Sequence, residues 1–191
     1  MAILILGLIL FLGVHSVRII APAWRDAQVA RLGLTPWKAL FSLASAVGFV
    51  LVIWGYGLSR EAPVDLWNPP RWTMHVTALL TLPAFILVVA GYVPGNHLKA
   101  AIGHPMVAGV KLWALAHLFS NGRLGDVVLF GAFLAWAVVD FASARRRDRE
   151  AGVTYPARGT AKDVITVVIG VAAWALFAAF LHVRLIGVRP Y

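Results

Sequence analysis

Apolar residues come in runs of about 18 or more along this chain, the length a helix needs to cross hydrocarbon. The runs predict six spans, at about Ala2–Ile20, Lys38–Leu58, Trp72–Val93, Pro105–Ser120, Leu124–Ala142 and Val164–Ile186. The first, AILILGLILFLGVHSVRII, has no basic segment before it and no small-residue cleavage site, so it reads as a retained helix and not a signal peptide. Thr35 followed by Pro36 supplies an N-cap and first helical position for the second. VPGN ends the third, the fourth is somewhat short, and Asn121-Gly122 closes a tight hairpin into the fifth. Thr160 and Asp163 stand at capping-box spacing before the sixth.

Composition agrees with the pattern. The 191 residues are 61% apolar and 13% charged, where a soluble domain is nearer half apolar and a quarter charged. The expected fold is all-α: a polytopic transmembrane helix bundle, one compact domain over residues 1–191 with no soluble domain. The chain has no cysteine. Structural disulfides, thiolate-held iron–sulfur clusters, covalent c-type haem and a cysteine nucleophile are therefore excluded.

The net charge of +9 maps onto loops. With six spans, one face carries Arg18, Arg25, Arg31, Lys38, Lys99, Arg145, Arg146, Arg147, Arg149, Arg158 and Lys162. The other carries Arg60, Arg71, Arg123, Arg184 and Arg189, with both termini. The positive-inside rule puts the first face in the cytoplasm and both termini on the non-cytoplasmic side. This bias accounts for the charge without a nucleic-acid partner; the bilayer is the partner it implies.

On that topology the six histidines form two tiers. His15, His97 and His104 share the inner half, and His75, His117 and His182 the outer half. An ionisable group within a membrane is costly enough to mark a functional site by default, and imidazole is the usual axial ligand of haem b. Histidines near an interface can also simply be wet, or hydrogen-bond a neighbouring helix. His117 follows His104 by 13 residues, about 20 Å along a helix, so the two cannot serve one metal. Lys111 lies about 10 Å deeper than His104 and nearly in line with it. It can snorkel to the inner surface, pair with Asp140, or meet an acidic substituent such as a haem propionate. Asp140 suits an interfacial salt bridge, and Arg18 suits either lipid headgroups or an anionic group near His15. Trp113, Trp136 and Trp174 are deep enough to wall a flat cofactor or to serve as ordinary packing, whereas Trp24, Trp37, Trp67 and Trp72 read as interface anchors. No nucleotide-binding loop, HExxH or serine-hydrolase elbow is present.

FLGVHSVRIIAPAWR, GHPMVAGVKLWALAHLFSNG and LFGAFLAWAVVDFASARRRD together resemble the NnrU family, over essentially the whole chain. Its members are polytopic membrane proteins associated with nitrite and nitric oxide reduction; the resemblance names no reaction. The zeta-carotene isomerase of carotenoid biosynthesis is similar to NnrU proteins and binds haem b. Its His-Ser segment in the first homologous span resembles His15-Ser16, and its His-Pro at the start of a later span resembles His104-Pro105. The resemblance implies His15 and His104 as axial ligands of a haem iron; by their placement along the spans, Lys111 and Arg18 are the cations to meet its acidic substituents. HPMVAG also resembles the R-H-P-x-Y-x-G segment of integral-membrane methyltransferases. Here, though, Gly103 replaces the arginine, Val107 replaces the tyrosine, and no acidic residue follows Asp163.

An iron with both axial positions held by histidine is a poor substrate site unless one ligand leaves. The expectation is therefore electron transfer, sensing or maturation in support of nitrite and nitric oxide respiration. It places the protein in a bacterial-type inner (cytoplasmic) membrane, with reductase components as partners. Two alternatives stand beside it: a haem-dependent double-bond isomerase of a lipophilic, carotenoid-like substrate, and a haem-free transporter or assembly partner.

Overall fold

In the computed structural model, which describes residues Met1–Pro190, the chain is helical throughout, apart from turns and one isolated antiparallel bridge between Asp65 and Arg123. The helices are α1 (Ala2–Ile20), α2 (Pro22–Leu32), α3 (Leu34–Glu61), α4 (Thr73–Tyr92), α5 (His97–Ile102), α6 (Pro105–Ser120), α7 (Leu124–Ala151) and α8 (Thr160–Leu176). A π-helical turn over Phe177–Leu181 then leads into α9 (His182–Ile186). Five of these stretches are long and apolar enough to cross a membrane: α1, α3, α4, α7 and the continuous Thr160–Ile186. α6 has 16 residues, about 24 Å at the helical rise, against a hydrocarbon core of about 30 Å.

The outside of these helices is greasier than the inside. Leu79 is 70% exposed, Leu43 64% and Val164 61%, while Ala90, Ala114 and Ala116 are wholly covered. Small residues inside and large apolar ones outside suit a lipid solvent, in which helices gain from close packing and not from hiding hydrocarbon.

Several elements depart from the pattern read along the sequence. Thr35 and Pro36 do not cap α3; Gly33, at φ +85°, is its N-cap, and both residues lie within the first turn. Pro36 costs nothing there, because first-turn N–H groups have no intrahelical partner. Thr160 and Asp163 form no capping box either. The N-cap of α8 is Gly159, and the Asp163 carboxylate accepts the backbone N–H and Nδ1 of His97, at 2.7 and 2.6 Å. The cytoplasmic connections expected around 18–38 and 93–104 contain α2 and α5. Asn96 nucleates α5: its side chain accepts from Lys99 N and donates to the carbonyls of Ala90 and Val93. α7 continues past Ala142 to Ala151, because the Ala, Arg and Glu of ASARRRDREA are strong helix formers.

By contacts the chain forms two compact units, Met1–Trp67 with Gly122–Trp136, and Asn68–Asn121 with the residues from Ala137 onward. In the first, α1 runs antiparallel to α3, and the backbones approach where Gly7 meets Val52 and Gly48 meets Phe11. Tyr56 donates to buried Asp126 at 2.7 Å, tying α3 to the start of α7. In the second, α4 packs on α6 and α8 through Gly109 against Ala84 and Gly170 against Ile86. Thr77 Oγ1 donates to Ala116 O at 2.8 Å, and Trp174 Nε1 to Thr81 Oγ1 at 3.1 Å.

Candidate functional site

His15 projects from α1 in the first unit. Its Nδ1 lies 2.7 Å from the carbonyl of Phe11, one turn back. A carbonyl only accepts, so Nδ1 carries the proton and Nε2 keeps its lone pair. Nε2 has no hydrogen-bond partner among the described residues. Aromatic rings wall the imidazole: Phe11 at 4.4 Å, Phe41 at 5.0 Å and Trp136 nearly perpendicular at 6.0 Å.

Two polar side-chain atoms among the described residues are buried without a partner, Trp136 Nε1 and Ser45 Oγ. Trp136 is the ring beside His15, and Ser45 lies one turn along α3 from Phe41. A buried unpaired donor costs about 1–3 kcal/mol, and native proteins hold very few. An imidazole with a free lone pair, with an unpaired indole among the rings around it, suits a flat apolar group that brings acceptors and an electrophilic centre.

His104 belongs to the second unit. Gly103, at φ +78°, turns the chain between α5 and α6, and its missing side chain leaves room for Arg145, Tyr155 and Asp148. His104 then takes the N-cap of α6, with Pro105 at the first helical position. Its Nε2 donates to Asp148 Oδ2 at 2.7 Å, and the Tyr155 hydroxyl donates to the same oxygen at 3.1 Å. Nδ1 is left without a partner among the described residues. A ligating histidine commonly gives its other ring N–H to a carboxylate, so this pair leaves Nδ1 as the coordinating atom.

The remaining candidates are dispersed. Lys111 Nζ sits 4.5 Å from the ring centroid of Phe141 and makes no ion pair among the described residues. Arg18, in the last turn of α1, is exposed, and Asp140 is half-buried on α7. His97 is committed to Asp163. Of the outer tier, His117 and His182 line one cavity of about 50 Å³ with Thr77, Thr81, Trp113 and Trp174. His117 Nδ1 faces Trp113 O at 2.8 Å, and His182 Nδ1 faces Val188 O at 2.6 Å. His75 is exposed at the start of α4 and does not line that cavity.

Asp148 and Tyr155 had no signal in the sequence beyond a basic run and the loop after it. Trp136 showed as a deep indole, but Ser45 did not show at all. Among the described residues no three His, Asp or Glu side chains converge as a metal cage. His15 offers Nε2 and His104 offers Nδ1, each within its own unit, as a ring nitrogen able to bind iron held by a cofactor.

Helices of this length, with large apolar residues outward and small ones inward, define an all-helical membrane protein. The family model described as NnrU protein matches residues 3–190, nearly the whole chain, and the chain belongs to that family. No curated protein and no solved structure matches it.

Proposed function

We propose that this NnrU-family protein binds haem b through His15 and His104 in the inner half of a bacterial-type inner membrane. There it supports nitrite and nitric oxide respiration by electron transfer, sensing or maturation. The observation that carries the reading is His15, its tautomer fixed by Phe11 O, its Nε2 free, and its ring packed among aromatic rings that include an unpaired indole. When bound, the haem supplies one-electron oxidation and reduction. The Phe11 carbonyl fixes the imidazole plane, and Phe41 and Trp136 pack their rings edge-on against it. Asp148 holds the Nε2 proton of His104, which keeps Nδ1 basic. Lys111 and Arg18 are the cations available to the acidic substituents of the group. A reduced-minus-oxidised absorption spectrum of the detergent-purified protein tests this. Sharp b-type bands are expected; their absence after expression with ample haem would remove the cofactor from the proposal.

The proposal includes six spans with both termini outside, α6 being the short one. Eleven Lys and Arg on one face against five on the other support that orientation. The chain has no cysteine, so single cysteines report cleanly. In intact cells a membrane-impermeant maleimide is expected to label Ala62→Cys, and to label Ala157→Cys only after lysis. The opposite order would reverse the topology.

A further inference from the structure

The run ARRRDRE lies in the last turns of α7, and the structure sorts its charges. Arg146 pairs with Glu150 at 3.8 Å, and Arg147 donates to Ser143 Oγ at 2.7 Å. Arg145 and Arg149, one turn apart on the same face, instead line a cavity of about 460 Å³ together with Ala100, Asp148, Thr154 and Tyr155. That is far more than the ~30 Å³ share of one water. Asp148 is already engaged from within the protein by His104 and Tyr155. Arg145 gives one nitrogen to Ile102 O at 3.1 Å and keeps the rest of its fork. Arg149 is exposed, and its guanidinium has no hydrogen bond or ion pair among the described residues. Lys99 Nζ, 5.9 Å from the Tyr155 ring centroid, donates to Gly91 O at 3.1 Å and does not line the cavity. Two arginines thus line a cavity holding one carboxylate.

We propose that this cavity binds a phosphate group, held by the guanidinium forks of Arg145 and Arg149 and by the Thr154 hydroxyl. Planar forks match phosphate oxygens two at a time. The apolar part of α7 ends at Ala142, so Arg145 and Arg149 stand about 5–10 Å beyond it along the helix. That is the depth of the headgroup layer, which is about 5–8 Å thick on each side of the hydrocarbon. The phosphodiester of an acidic lipid offers the required chemistry there, and a free phosphate offers the same chemistry from solution. The site stands independently of any haem.

The test is thermal unfolding of the full chain in detergent, with phosphatidylglycerol or phosphatidylcholine added to the micelles. A separate arm adds inorganic phosphate against chloride at equal ionic strength. Phosphatidylglycerol is expected to stabilise the protein more than phosphatidylcholine. Arg149→Gln is expected to weaken its apparent affinity about fivefold, the contribution of one arginine at an anionic surface. Arg146→Gln removes the same charge from a neighbour already paired with Glu150, and is expected to leave the response intact. Stabilisation by inorganic phosphate alone would support the site and name free phosphate as its source. No preference for phosphatidylglycerol with inert phosphate, or equal losses in Arg146→Gln and Arg149→Gln, would overturn the proposal.

Discussion

Gly55→Leu is expected to abolish the folded protein, while Gly57→Leu, two residues away on the same helix, is expected to be tolerated. A Cβ at Gly55 would fall on the backbone nitrogen of Leu4, whereas nothing lies within 4 Å of one at Gly57. The seam continues: a Cβ at Gly7 would stand 2.6 Å from Val52 N, and one at Gly48 would stand 2.7 Å from Phe11 N. Backbone atoms cannot swing aside as a side-chain tip can, so α1 would have to lift from α3. Overpacking a core costs about 1–3 kcal/mol where side chains can adjust, and more where they cannot. Leu4, fully buried on this seam, would lose its contacts. So would Phe11 and Phe41, the rings around His15. The check is the monodisperse fraction on size exclusion and the melting temperature of both variants. Equal tolerance of the two would mean that α1 and α3 do not meet in this register.

That seam shows where sequence reading stops. Hydropathy fixes how far a helix is greasy, and it placed α1 and α6 at their observed ends, Ala2–Ile20 and Pro105–Ser120. It does not fix where a helix ends. α7 loses its apolar character at Ala142 but keeps its hydrogen bonds to Ala151, so Asp148 sits on a rigid helix and reaches His104. Read as a loop, the same aspartate had no assigned partner. The capping signals failed for a related reason: Gly33 and Gly159 take positive φ and set the corners, leaving Thr35 and Thr160 inside the helices they were expected to start. Alternation of spans put His117 and His182 in one tier by the order of the helices alone, and in the structure both line one cavity. It included His75 as well, because span order says nothing of which way a residue faces.

His15→Ala is expected to remove the b-type spectrum altogether, and Trp136→Phe to weaken haem retention without abolishing it. Alanine deletes the nitrogen that the Phe11 hydrogen bond leaves free, and among the described residues no other histidine ring stands within that aromatic shell. Phenylalanine keeps an aromatic wall and deletes only the buried indole N–H and part of the ring. In the haem-free protein the two consequences oppose each other: a smaller ring leaves a void, but an unpaired donor disappears. Its melting temperature should therefore move little. In the loaded protein the N–H would have found an acceptor, and its loss should lower haem affinity about threefold to tenfold, the value of one ordinary hydrogen bond. Titrating haem into both forms while following the Soret band separates these effects. Unchanged affinity in Trp136→Phe would assign the indole to packing alone, and a retained low-spin spectrum in His15→Ala would move the ligand to another residue.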